Sequence, residues 1–211
     1  MVQPLPLHCP LMFLKSMVWR CRTGGASHQV RRDQAGFTLI EIMTVILLIG
    51  IVSAMTIFAV QSAVPSVRGD SAMDAILSAM RLGRDSAITM RRKIEVRFPS
   101  ATEVDLVRID LNAERIIGTA SLESNMSFML TGGLPDTPDA YGMASATDFG
   151  GAVVVRFNED GTMTDGAGVP LNGTVFIGQS SETRSARAVT ITGVTGRAQG
   201  YAWDGRAWQE K

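Results

Sequence analysis

The chain has 211 residues with 20 basic and 20 acidic side chains, and both cysteines and both histidines lie within its first 28 positions. The remainder therefore lacks the residues for a Ser-His-Asp or Cys-His nucleophile, an ordinary zinc site or a disulfide. The first 36 residues carry five basic side chains and one acidic one. Residues 37–211 therefore carry 15 basic and 19 acidic side chains, a net charge of −4.

An apolar run begins at residue 37, directly after the polar, arginine-bearing stretch 31–36. Residues 37–60 read FTLIEIMTVILLIGIVSAMTIFAV and contain a single charge, Glu41. A helix of that length extends roughly 36 Å at about 1.5 Å per residue. The hydrocarbon core of a bilayer is about 30 Å thick. The run is therefore predicted to be a transmembrane helix.

Glu41 is costly in such a helix, because a carboxylate at the bilayer centre costs about 2.5 to 3.5 kcal/mol. No Lys, Arg or His lies between Phe37 and Ser66 to neutralise it. The stretch from Gly36 to Glu41, GFTLIE, resembles the processing site of type IV prepilins and type II secretion pseudopilins. The resemblance implies that a prepilin peptidase cleaves after Gly36 and methylates the new N-terminal Phe37. It also implies that Glu41 meets the terminal amine of a neighbouring subunit during assembly.

Residues 1–36 are accordingly expected to be a cleaved leader. Its basic side chains predict a cytoplasmic N-terminus, by the excess of positive charge on that side. The domain after the span is then expected in the periplasm, with the chain held in the bacterial inner membrane. Met17 is an alternative start. Cleavage by the general signal peptidase is the rival processing hypothesis, although the apolar run is much longer than its usual target.

Residues 61–92 are predicted to continue the helix in amphipathic form. Apolar side chains recur near helical spacing at Met73, Ile76, Leu77, Met80, Ala87 and Ile88. Pro65 is a possible kink, Gly83 is a weak point, and Pro99 excludes further helix. Such a one-sided apolar stripe needs a sheet to cover it.

Residues 93–211 are predicted to form that sheet. Ile94, Val96 and Phe98 alternate with charged residues, and a second strand includes Val104, Leu106 and Ile109. Further strands are expected over 114–118, 122–130, 152–157, 174–178, 187–192 and 198–203. Turn signals stand at 160–161, 165–166, 172–173 and 204–205, whereas 131–151 is predicted to be a long loop. The fold class is therefore α+β, a long N-terminal helix packed on an antiparallel β domain.

Two segments in the closing half strengthen the resemblance. They are FNEDGT over 157–162 and RAVTIT over 187–192, the latter followed by Thr195-Gly196-Arg197. Together they look like the C-terminal domain of H-type pseudopilins and FimT/FimU minor pilins. The resemblance implies a non-enzymatic subunit that assembles with other major and minor pseudopilins or pilins and contacts secreted protein substrates, without a cofactor. A minor pseudopilin of type II secretion is the first interpretation and a type IV minor pilin is the alternative.

Arg197 and Arg206 are candidate phosphate contacts, since some FimT-like pilins bind DNA near the glycine-arginine turn. The net charge of −4 argues against a strong DNA footprint. Asp136, Asp139 and Asp148 could in principle gather a calcium ion, although their spacing matches no EF-hand. The aromatic residues Tyr201, Trp203 and Trp208 are expected to close a core edge, or otherwise to mark a binding patch. A membrane-anchored enzyme using paired carboxylates is the competing class.

Overall fold

One long helix precedes a series of short strands in the computed structural model, which describes residues 36–123 and 125–211. The helix α1 spans Leu39–Met90. The strands are β1 Ile94–Ser100, β2 Glu103–Ile109, β3 Glu114–Ser121, β4 Ser127–Phe128, β5 Thr147–Asp148, β6 Val155–Phe157, β7 Met163–Thr164, β8 Gly173–Gln179, β9 Glu182–Thr192, β10 Arg197–Trp203 and β11 Trp208–Glu210. Residues Ile46–Lys211 form one compact unit, separate from the unit that ends at Val45.

The strands form two antiparallel sheets, as the short strands and tight turns predicted. The first sheet has the order β3-β2-β1-β6-β7, and the second has the order β11-β10-β9-β8-β4, with β5 also paired to β8. Asp160-Gly161 lies in the turn between β6 and β7, and Asp204-Gly205 lies in the turn between β10 and β11. The α+β architecture predicted from the sequence is confirmed.

The buried stripe of α1 covers the inner faces of both sheets. Its members are small or apolar side chains: Ala72, Met73, Ile76, Leu77, Ala79, Met80 and Ala87. They share one hydrophobic core with Leu106 of β2, Phe157 of β6 and Ile191 of β9. Ile88, which the periodicity also placed on the stripe, is 39% exposed. The helix continues through Pro65 despite the lost backbone hydrogen bond.

Three predictions about the strands and loops were wrong, one of them because the predicted loop 131–151 contains the short strand β5. The segment 122–130 contains only the two-residue strand β4, because the chain turns there from the first sheet to the second, with Asn125 at a positive φ of 66°. The predicted turn at Asn172-Gly173 is instead the start of β8, where Gly173 pairs with Ile191. The Asn172 side chain accepts a hydrogen bond from the Gly193 amide at 2.8 Å.

A buried arginine joins the helix to the second sheet. The Arg187 side chain is 2% exposed, and its Nε donates to Asp70 Oδ1 at 2.9 Å. Its other nitrogens donate to the Ser66 carbonyl and hydroxyl and to the carbonyls of Arg184 and Ala186, at 2.8 to 2.9 Å. Gly69 of α1 packs against β9 beside this arginine, and an added Cβ at Gly69 would lie only 2.6 Å from the Ser185 carbonyl oxygen. A side chain at position 69 would therefore force the helix away from β9.

Candidate processing and assembly site

The start of α1 is set by Thr38, the residue that precedes the first helical position. The Glu41 amide donates to Thr38 Oγ1 at 3.3 Å and to the Thr38 carbonyl at 3.1 Å. A threonine at the N-cap followed three residues later by glutamate is the spacing of a capping box. The sequence interpretation missed this role, although the T-x-x-E pattern is visible in the sequence. The helix can therefore begin at Leu39, three residues after Gly36.

Gly36, Phe37 and Glu41 all lie at this exposed helix start. The Phe37 side chain is 77% exposed, and an added Cβ at Gly36 would meet nothing within 4 Å. Over residues 36–123 and 125–211, no cation lies within ion-pair distance of the Glu41 carboxylate. The carboxylate also lies in the first turn, where the positive end of the helix dipole favours it.

The apolar side chains from Ile42 to Met55 are exposed, and so is Val60. The large ones through residue 60 are Ile42, Met43, Val45, Ile46, Leu47, Leu48, Ile49, Ile51, Val52, Met55 and Val60. Among the described residues one helical segment, Leu39–Thr56, is long and apolar enough to cross a membrane, and none of it is buried in the protein. An apolar surface of this extent needs lipid or other protein around it.

Of the two candidate DNA contacts, Arg197 begins β10 and Arg206 lies three residues beyond its end. The seven-residue strand between them is roughly 20 Å long at about 3.4 Å per residue. Arg197 is highly exposed, donates to Gln199 Oε1 at 2.8 Å and lies 3.9 Å from Glu210 Oε1. Arg206 lies in the exposed β10–β11 turn, where its amide donates to Asp204 Oδ1 at 2.7 Å. The structure does not bring the two arginines together into one site.

Arg84 of α1 connects the aspartate-glycine turn at 160–161 with the glycine-arginine turn at 196–197. Its Nε donates to the Gly161 carbonyl at 3.3 Å and to the Thr195 carbonyl at 3.1 Å. Gly196 packs directly against the Gly161 carbonyl, so that a Cβ at position 196 would clash with it. The aspartate-glycine turn and the glycine-arginine turn therefore form one packed unit with the helix.

The three loop carboxylates considered for calcium bind separate protein groups. Asp136 accepts hydrogen bonds from the Thr137 and Gly142 amides, whereas Asp148 accepts them from the amides of residues 144 and 150. Asp139 accepts them from side chains of the second sheet. Within the described ranges, no three His, Cys, Asp or Glu side chains are grouped to hold a metal ion.

One family model and solved protein structures are similar to this chain. The prokaryotic N-terminal methylation motif matches residues 31–57, whereas no curated protein sequence matches the chain. The type IV minor pilin FimU of Pseudomonas aeruginosa is similar in structure, with 14% identity over 66% of this chain and 91% of that chain, at a TM-score of 0.44. The minor pseudopilin EpsH of the Vibrio cholerae type 2 secretion system is also similar in structure. It shows 10% identity over 64% of this chain and 97% of that chain, at a TM-score of 0.43.

Neither likeness separates a pilus subunit from a secretion subunit. The motif match confirms the resemblance to type IV prepilins that GFTLIE indicated, and the motif lies at the start of an exposed apolar helix. That helix continues into an antiparallel β domain. The chain therefore carries the prokaryotic N-terminal methylation motif at the start of an apolar helix, ahead of an antiparallel β domain.

Proposed function

We propose that this chain is a minor pseudopilin, a structural subunit of the pseudopilus of type II secretion. Prepilin peptidase would cleave after Gly36 and methylate the amine of Phe37. The observation that carries the proposal is the exposed apolar helix of α1, whose first turn holds one unpaired charge, Glu41, among the described residues. A helix with that surface is suited to two environments in turn, the bilayer and the centre of a filament.

The proposed assembly step depends on the charge of Glu41. Cleavage after Gly36 creates a new amine four residues before this carboxylate. In the bilayer the carboxylate costs a few kcal/mol unless it is neutralised. The amine of an adjacent subunit would supply the countercharge, so that the ion pair would fix the register between two helices. The apolar side chains would then exchange lipid for protein at each step of assembly.

The proposed orientation follows from the charges around the span. Arg31 and Arg32 precede the apolar run, and a positive flank stays on the cytoplasmic side. The β domain would then lie in the periplasm while the helix is anchored in the inner membrane. After assembly the domain would face outward or cap the filament tip. There it would contact other minor subunits and secreted protein substrates, as a binding and structural element rather than an enzyme.

Substituting Glu41 by glutamine tests the proposed ion pair. Glutamine can replace glutamate in a capping box, so Glu41→Gln removes the charge while the helix start is kept. We expect this variant to be cleaved normally, yet to be depleted at least tenfold from sheared filaments and retained in the membrane fraction. Immunoblotting of the two fractions measures the ratio.

Thr44→Val is the matched control for this experiment. Thr44 lies one turn further along the helix, and its hydroxyl donates only to the Glu41 carbonyl at 2.8 Å. The substitution changes a polar side chain in the same region without altering charge. We expect it to assemble like the unaltered chain. Equal assembly of the Glu41→Gln variant would rule out the ion pair as the driving contact.

A type IV minor pilin is the alternative within the same proposal, because the same anchor and domain serve both filaments. A deletion strain separates the two. The pseudopilin assignment predicts that exported enzymes accumulate in the periplasm while surface pili and twitching motility are unaffected. Loss of pili with normal secretion would instead identify the chain as a minor pilin.

A further inference from the structure

Residues 129–146, here called the strap, leave and rejoin the second sheet at the same strand. β4 precedes the strap and pairs with β8 at Ile177 and Gly178, and β5 follows it and pairs with β8 at Thr174 and Val175. The two ends of the strap are therefore neighbours. Loops of this length without secondary structure of their own are uncommon in compact domains, and those that are ordered are usually functional.

Between these ends, the strap crosses the outer face of the second sheet. The Trp208 indole nitrogen of β11 donates to the Pro135 carbonyl at 2.8 Å, and the Tyr141 hydroxyl lies 3.1 Å from Thr192 Oγ1 of β9. The backbone hydrogen bonds between the strap and β8 stand at its two ends, at Met129 and at residue 146. Side chains therefore hold its middle to the sheet.

Asp139 makes the central contact between the strap and the sheet. Its Oδ2 accepts a hydrogen bond from the Thr190 hydroxyl at 2.6 Å and another from the Tyr201 hydroxyl at 3.1 Å, which joins it to both β9 and β10. Burial, followed by the nearby Asp139 carboxylate, raises the pKa of Tyr201 to about 12. The Tyr201 hydroxyl consequently remains a donor at neutral pH.

The middle of the strap is also bonded to itself. Asp136 Oδ1 accepts from the Thr137 amide at 2.7 Å, and Asp136 Oδ2 accepts from the Gly142 amide at 3.2 Å. The Ala140 amide donates to the Thr137 carbonyl at 2.9 Å. These bonds need no residue of the sheet, so they can persist when the strap lifts. The segment can therefore move as one piece.

The face beneath the strap is apolar and aromatic, and it is distinct from the main core. A second hydrophobic cluster contains Phe176, Ala186, Ala188, Tyr201 and Trp208, packed by Leu130, Leu134 and Trp203. Val189, the neighbour of Ala188 on β9, belongs to the main core on the opposite face of the sheet. Movement of the strap can therefore expose the second cluster to solvent while the main core stays buried.

We propose that the strap is a lid that opens separately from unfolding of the domain, with Asp139 as the residue that holds it closed. Opening breaks the hydrogen bonds that hold Pro135, Asp139 and Tyr141 to the sheet, together with the packing of the strap leucines, and leaves the strand pairing of β8, β9 and β10 intact. Segments held by few contacts open at lower free energy than the core of the same domain. Opening the strap exposes the aromatic side chains of the second cluster. This inference is independent of the proposed filament role.

Thiol labelling at two adjacent positions of β9 tests the lid. In a full chain whose Cys9 and Cys21 are replaced by serine, Ala188→Cys places a thiol under the strap and Val189→Cys places one in the main core. Both native side chains are 0% exposed. We expect a small maleimide to react with the thiol at position 188 at least tenfold faster than with the thiol at position 189. Equal rates at the two positions would overturn the proposal.

Asp139→Ala, combined with each thiol, tests the role of the carboxylate. Losing hydrogen bonds to a charged group shifts an equilibrium by about tenfold or more, so labelling at 188 should accelerate about tenfold and labelling at 189 should stay unchanged. Tyr201→Phe, which removes one of the two donors, should give a smaller effect at 188 alone. If Asp139→Ala fails to fold, the Tyr201→Phe variant tests whether the hydrogen bonds of Asp139 hold the strap closed.

Asp165→Ala is the control, since Asp165 accepts amide hydrogen bonds within a different surface turn, from residues 167 and 169. We expect Asp165→Ala to leave the ratio of the labelling rates at positions 188 and 189 unchanged. Acceleration at both 188 and 189 by Asp139→Ala or Tyr201→Phe would show that these residues stabilise the whole domain, and would overturn their role in the lid.

Discussion

The Gly36→Val variant is expected to accumulate as uncleaved precursor in the membrane, longer than the mature chain by the 36-residue leader. Under the proposed function, the peptidase cleaves the bond after this glycine, and a branched side chain there obstructs access to that bond. An added Cβ at Gly36 meets nothing within 4 Å, so the fold itself does not require glycine at this position. The mass of the membrane-extracted protein is the measurement.

Gly50→Val is the matched control for the processing experiment. Gly50 lies in the same apolar helix, and an added Cβ there also meets nothing within 4 Å. We expect this variant to be cleaved as efficiently as the unaltered chain. Normal cleavage of both variants would contradict recognition of Gly36, and retention of both precursors would point to a membrane insertion defect instead.

Replacing Arg187 by methionine is expected to destabilise the β domain by about 2 kcal/mol, because it leaves hydrogen-bond acceptors around the buried side chain without their donor. Methionine keeps part of the side-chain volume but removes the bonds to Asp70 and Ser66 of α1. The carbonyls of residues 184 and 186 also lose a charged donor. Urea unfolding of residues 61–211, which retain all of these partners, measures the change.

Arg184→Met separates the buried contact from the loss of positive charge. Arg184 lies three residues earlier on the same strand with an exposed side chain, and only its backbone carbonyl contacts Arg187. Exposed substitutions of this kind usually change stability by less than about 0.5 kcal/mol. A loss of similar size in both variants would show that net charge, rather than the bridge to α1, controls stability.

Local sequence patterns predicted much of the fold. The apolar run and the later stripe predicted the helix, and alternation in Ile94 and Val96 predicted β1. Aspartate-glycine pairs marked the β6–β7 and β10–β11 turns. These signals involve residues close together in the chain, where side-chain periodicity and turn chemistry are visible.

The contacts that sequence reasoning missed join residues far apart in the chain. Arg187 and Asp70 are separated by 117 positions, and Asp139 and Tyr201 by 62. No periodicity connects such pairs, so a buried arginine on β9 looked like one more polar residue in an alternating strand. The long loop was recognised as a loop, but its path over the outer face of the second sheet required the structure.

The residues of the candidate site could be predicted from the sequence more directly than the contacts of the β domain. Gly36, Phe37 and Glu41 were chosen because a charge in an apolar run is costly and because GFTLIE resembles a known processing site. Thr38 was not predicted to cap the helix, although the T-x-x-E spacing of residues 38–41 is typical of a capping box. Arg197 and Arg206 were paired by sequence proximity, whereas a strand separates them in space.

The mass and N-terminal sequence of the protein purified from its native membrane test the central proposal most directly. We expect a chain that begins at Phe37 with a methylated amine, positioned to pair with Glu41 of the next subunit. A chain that retains Gly36 and residues before it, or that begins beyond residue 60, would rule out the proposed processing and assembly.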